Sequence, residues 1–189
     1  MASSRKNTLL IVLLLGGFGA LVFFRQGSGQ CSLISFDPPA TAPLATMPDW
    51  VMTDAAGEQR RASDFTDGPK LLAFWTTWCV NCRNQMRALA SLEEELGPRG
   101  LSILGVNLDT DEAALEDYLA KRDVPFPVLR PTLETREAFG PIRAVPTTFL
   151  AAPDGTILAR YEGAVPTNEV RQLLAPYLDR PAKGPQGTR

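Results

Sequence analysis

The 189-residue chain contains no histidine. That removes the commonest metal ligand and the commonest general base near neutral pH. Its three cysteines are too few for a disulfide-rich scaffold. No basic block occurs, the formal net charge is −2 and the pI about 5.3, so nucleic acid is not an expected partner. Internal repeats are also missing. What is present, 44% hydrophobic and 21% charged residues, suits one globular domain with flanking segments.

Two of the three cysteines stand together in Trp75-Thr76-Thr77-Trp78-Cys79-Val80-Asn81-Cys82-Arg83, at an expected strand-to-helix junction. On a helix, positions i and i+3 share one face about 5–6 Å apart, within reach of a disulfide. If Cys79 opens the helix, unpaired backbone N–H groups and the helix dipole favour its thiolate. The pair therefore reads as a reversible two-electron switch. Other uses of paired cysteines fit less well. Zinc wants about four ligands, and the remaining cysteine, Cys31, lies far upstream. Covalent haem attachment needs a histidine after the second cysteine, where Arg83 stands. A structural disulfide of this spacing would close almost no loop. No metal and no cofactor are expected.

The N-terminus reads as a targeting segment. Arg5 and Lys6 precede an uncharged, largely apolar stretch over residues 8–24, and Arg25 closes it. At about 1.5 Å per residue this stretch spans roughly 25 Å, slightly short of a bilayer core but longer than a usual signal-peptide core. An uncleaved anchor over 1–24 is favoured over a cleaved signal peptide. The positive charge before the span places the N-terminus inside and the domain on the extracytoplasmic, periplasmic side. Residues 25–46, with Gly27, Gly29, Pro38, Pro39 and Pro43, read as a stalk. Cys31 within it reads as a non-catalytic free thiol, because Gln30 directly before it argues against lipidation. The folded domain is expected over 47–178 and a disordered tail over 179–189.

Within the domain, strand and helix patterns alternate. An initial hairpin is expected from 50–53 and 59–62, and a buried strand from 70–75. A helix follows over 80–96, with Met86, Leu89, Leu92 and Leu96 at helical spacing, then a second strand over 101–108. Asp109 and Glu112 read as a capping box for the next helix, whose inner face carries Ala114, Leu115, Tyr118 and Leu119. A short helix over 133–139, an antiparallel pair over 145–151 and 156–161, and a last helix from about Thr167 complete the order. The result is a layered α/β domain with a mixed sheet.

Four features in this order resemble the thioredoxin superfamily, specifically its membrane-tethered TlpA/ResA/CcmG-like reductases. They are Pro48-Asp49-Trp50 through Ser63-Asp64-Phe65; Phe74-Trp75-Thr76-Thr77-Trp78-Cys79 with Cys82-Arg83; Gly105-Val106-Asn107-Leu108-Asp109 leading to Pro125-Phe126-Pro127-Val128-Leu129; and Val145-Pro146-Thr147-Thr148-Phe149-Leu150 before Asp154-Gly155. The resemblance implies a thioredoxin-like fold, a mixed central sheet flanked by helices, with an N-terminal β-hairpin extension. It implies Cys79 as nucleophile and Cys82 as the resolving cysteine. It implies a cis Val145–Pro146 bond, with Trp78, Val145 and Pro146 forming the substrate groove. The pattern departs at Ala73, where thioredoxins proper place a buried acid, and at Gln85, where many of these reductases carry a glutamate. Asn81 and Arg87 each replace a frequent proline. Arg83 and Arg87 add positive charge near the pair, and Asn81 is expected to bond the loop backbone.

The expected activity is that of an exported thiol–disulfide oxidoreductase that reduces client disulfides. By family likeness the clients are apocytochrome c or copper-site assembly factors, and the electron donor is a transmembrane thiol carrier. Competing readings are a disulfide-forming oxidant, a thiol peroxidase and a non-catalytic binding module.

Overall fold

In the computed structural model of the chain the described residues are 46–65 and 68–179. The expected anchor, nearly all of the stalk with Cys31, and the tail beyond Asp179 lie outside them. Among the described residues no helix is long and apolar enough to cross a membrane.

Seven strands form one sheet in the order β2-β1-β5-β4-β3-β6-β7. The first two, β1 (Val51–Asp54) and β2 (Gln59–Arg61), are the expected hairpin. Its β1 strand runs antiparallel to β5 (Val128–Pro131), so the hairpin extends the sheet on that side. The centre is β3 (Lys70–Trp75), parallel to β4 (Ser102–Asn107) and antiparallel to β6 (Thr147–Ala151). Strand β4 is parallel to β5, and β7 (Ile157–Glu162) closes the far edge against β6. The two parallel steps are bridged by α1 (Val80–Leu96) and α2 (Glu112–Ala120). Helices α3 (Leu133–Ala138) and α4 (Thr167–Leu174) follow β5 and β7.

The alternation of β3 explains the layering. Leu71, Ala73 and Trp75 point to one face, where Leu89 and Leu92 of α1, Leu115 and Tyr118 of α2, and Val170 and Leu174 of α4 cover them. Leu72 and Phe74 point to the other, against Phe139 at the end of α3 and Trp50 and Met52 of the hairpin. There Phe74, Phe139 and Phe149 stack with centroids 5.1–5.7 Å apart, mutually tilted or edge-on, the arrangement aromatic rings favour. Every residue of β3 is buried, which is why it reads as an unbroken apolar run rather than an alternation.

Two local expectations change. Strand β5 was not foreseen: only four residues long, it sits among Pro125, Pro127 and Pro131, which obscure any strand pattern. The cap of α2 is Asp111, whose carboxylate accepts from the Ala113 N–H at 3.0 Å, not Asp109. Asp109 is used elsewhere, at the cysteine pair.

Candidate active site

The pair sits where β3 gives way to α1. Cys79 is the N-cap of α1, in extended conformation (φ −79°, ψ 116°), and its Sγ accepts the Cys82 N–H at 3.2 Å. A sulfur thus takes the place of the usual capping oxygen. Cys79 is half-buried and Cys82 fully buried, and both are free thiols. Burial pushes the Cys82 thiol up to about 12 from 9.0; the neighbouring Cys79 sulfur adds to the rise, and the Thr76 backbone and hydroxyl oppose it. A proton held so firmly leaves Cys79 as the sulfur able to attack at neutral pH.

The Val145–Pro146 bond is cis, as the resemblance implies. The Cys79 thiol donates to the Val145 carbonyl at 3.7 Å, while Pro146 is buried. The turn around it is closed by the Thr147 hydroxyl donating to Ala144 O at 2.7 Å and by the Gly163 N–H donating to Pro146 O at 2.7 Å. Trp78 is 71% exposed. The structure thus brings Cys82 and Val145 to the Cys79 sulfur, with Trp78 and Pro146 as their neighbours in the chain and Val80 as a further exposed apolar residue on the first turn of α1.

Beneath the pair the departures acquire definite roles. Ala73 is buried in the same cluster as Cys82. Gln85 is buried; its Nε2 donates to Thr148 Oγ1 at 2.8 Å and its Oε1 accepts the Val165 N–H at 3.2 Å. Both ends of the amide are thus committed to neutral partners, and Gln85 ties α1 to β6 and to the loop before α4. Asn81 is exposed and makes no side-chain hydrogen bond among the described residues, so the expected bond to the loop backbone does not form.

That backbone is held by two other residues. The Asp109 carboxylate accepts the Thr77 N–H at 3.0 and 3.2 Å and the Asn107 Nδ2 at 2.9 Å. From the other side, Arg83 Nη1 donates to the Thr77 carbonyl at 2.9 Å. One peptide residue, two before Cys79, is gripped at both its polar groups. The charge expected of Arg83 near the pair is used here, whereas Arg87 bonds the side chain of Asn84 on the exposed face. The signal for Asp109 lay in strand register. Trp75 pairs in parallel with Asn107, and continuing that offset by two residues sets Thr77 beside Asp109.

The chain is similar to known thiol-disulfide oxidoreductases along most of its length. Thiol-disulfide oxidoreductase ResA of Geobacillus thermodenitrificans is 26% identical over 169 residues, covering 89% of this chain and 92% of that protein. A thiol-disulfide oxidoreductase structure from Bacteroides fragilis superposes with a TM-score of 0.60 at 28% identity, over 68% of this chain and 99% of the other. A secreted thiol-disulfide isomerase from Corynebacterium glutamicum gives 0.61 at 25% identity, over 69% and 83%. The fold is thioredoxin-like. With residues 43–160, running from before β1 into β7 and including Cys79 and Cys82, matching its model, the chain belongs to the AhpC/TSA family.

Proposed function

We propose that the protein is a thiol–disulfide oxidoreductase acting on protein disulfides through Cys79 and Cys82. One observation carries the reading: Cys79 is only half-buried at a helix N-terminus, its Sγ beside the Val145 carbonyl, while Cys82, one helical turn on, is sealed and protonated. Cys79 attacks a client disulfide and expels one client sulfur as thiolate. Cys82 then attacks Cys79, the bond to the client breaks, and the second client sulfur leaves. Trp78 and the Val145–Pro146 turn line the approach, and the backbone of Val145 offers strand-like pairing to an extended peptide.

The direction we favour is reduction. Reduction outside the cytoplasm requires a supply of electrons, for which a transmembrane thiol carrier is the partner. Apocytochrome c or copper-site assembly factors are the clients suggested by family likeness. The apolar stretch over 8–24 supports export with the domain held at the membrane, a stalk over 25–46, a domain over 47–178 and a tail beyond it.

Replacing Cys79 with serine should abolish disulfide exchange, and Cys82→Ala should accumulate a mixed disulfide with the client, visible on non-reducing gels. Undiminished turnover in either variant would sink the mechanism. A reduction potential well below about −200 mV marks a reductant, and one near about −120 mV an oxidant. Rapid consumption of peroxide by Cys79 would instead revive the peroxidase reading.

A further inference from the structure

Thr76 is buried, yet its Oγ1 is shielded from solvent with no hydrogen-bond partner among the described residues. A buried hydroxyl left in that state is costly, and such groups are rare in folded proteins. The side chain lies on the short segment between β3 and α1, three residues before Cys79. Both its hydroxyl and its backbone oppose the effect of burial on the Cys82 thiol. While Cys82 is protonated it has little to offer such a hydroxyl, because a neutral thiol sulfur accepts hydrogen bonds only weakly.

We propose that Thr76 is a catalytic residue of the second step, its hydroxyl donating to the Cys82 sulfur as that sulfur becomes anionic. This rests on the dithiol reading above and assigns a further residue to it. In the mixed disulfide, Cys82 gives up its proton and its sulfur bonds to Cys79 Sγ. The bond between Cys79 and the client breaks, and the departing client sulfur takes the electron pair and, by way of solvent, the proton that Cys82 gave up. Two electrons have by then passed from the cysteine pair to the client disulfide. A hydroxyl rotates freely, so Thr76 can stay unpaired while Cys82 is a thiol and turn to it when charge develops. An interaction made only on the way to the transition state accelerates the step, whereas one made equally beforehand does not. Gln85 is locked by its own two bonds and Ala73 carries no polar group, so neither competes with Thr76 for this work.

The two steps separate in a stopped-flow reaction of the reduced protein with 5,5′-dithiobis(2-nitrobenzoate). Attack by Cys79 releases one coloured thiolate and attack by Cys82 releases the second. Thr76→Val keeps the shape and removes the hydroxyl. It should slow the second release roughly tenfold, the size of one charge-assisted hydrogen bond, and displace that phase's pH profile upward by about one unit. The first phase should change less than about twofold, and Thr76→Ser should restore the second. A second phase equally fast in Thr76→Val, or one that serine fails to rescue, overturns the proposal. Should the valine variant not fold, the comparison of Thr76→Ala with Thr76→Ser reads the same quantity. Failure of the wild-type protein to exchange protein disulfides would count against the proposed function instead, because the two-phase reaction needs no protein client.

Discussion

Cys82 couples the redox site to stability through its proton. Its folded pKa is raised to about 12 from the ordinary 9.0, chiefly by burial. Below about pH 9 the thiol is protonated in both folded and unfolded chains, and the contribution to stability is fully present. Between about 9 and 12 the unfolded chain releases the proton while the folded one holds it, so stability falls as pH rises. Urea titrations at pH 7 and pH 10 should show the reduced protein losing more stability than Cys82→Ala, which lacks the group. An equal loss in both would mean that the thiol is not held protonated by the fold. The absence of histidine sharpens the measurement, since no imidazole titrates at the lower end of this range.

At the level of elements, the site is a seam between β3, β4 and α1 closed by side chains rather than by the cysteines themselves. Asp109, just past β4, and Arg83, in the first turn of α1, hold the Thr77 peptide from opposite sides. Asp109→Ala strands the Thr77 N–H and the Asn107 amide, and should cost about 1–3 kcal/mol in urea unfolding. Asp109→Asn keeps an acceptor and should cost less; an equal loss would show that the carboxylate charge, not the clamp, matters. Little of this was legible in the sequence. An aspartate just after a buried strand and three residues before a glutamate suits a capping box, and only the parallel register of β3 and β4 reveals that Asp109 lies beside Thr77. Elements with strong periodicity were readable: α1 and β3 run over the residues their apolar patterns mark, because burial of one helical stripe or of a whole central strand leaves a clear imprint. Strand β5 left none, being short and set among prolines. The cysteine pair and Val145–Pro146 were legible as local motifs, but the role of Gln85 depends on contacts with β6 and the loop before α4 that no local pattern encodes, and nothing local marks the Thr76 hydroxyl as buried without a partner.

For the molecule as a whole, the sheet divides the side chains into two apolar clusters, and the catalytic segment grows out of only one of them. Cys82, Trp75 and Ala73 belong to the face covered by α1, α2 and α4. Gly105 of β4 lies under this face, where an added Cβ would come within 3.2 Å of Trp75 Nε1 and 3.3 Å of Met86 Cε, so even a methyl group would press on both side chains. The same packing sorts the three tryptophans: Trp50 and Trp75 are 2% and 1% exposed, and Trp78 is 71% exposed. The protein consequently carries its own optical reporter. Acrylamide should quench a red-shifted component from Trp78 and leave the blue emission of the other two nearly untouched. Trapping a client on Cys79 in the Cys82→Ala variant should shield that component, and an unchanged quenching curve would mean the client approaches from a side away from Trp78. The one aromatic ring left in water at the reactive sulfur thus turns docking into a change of colour, readable without a label.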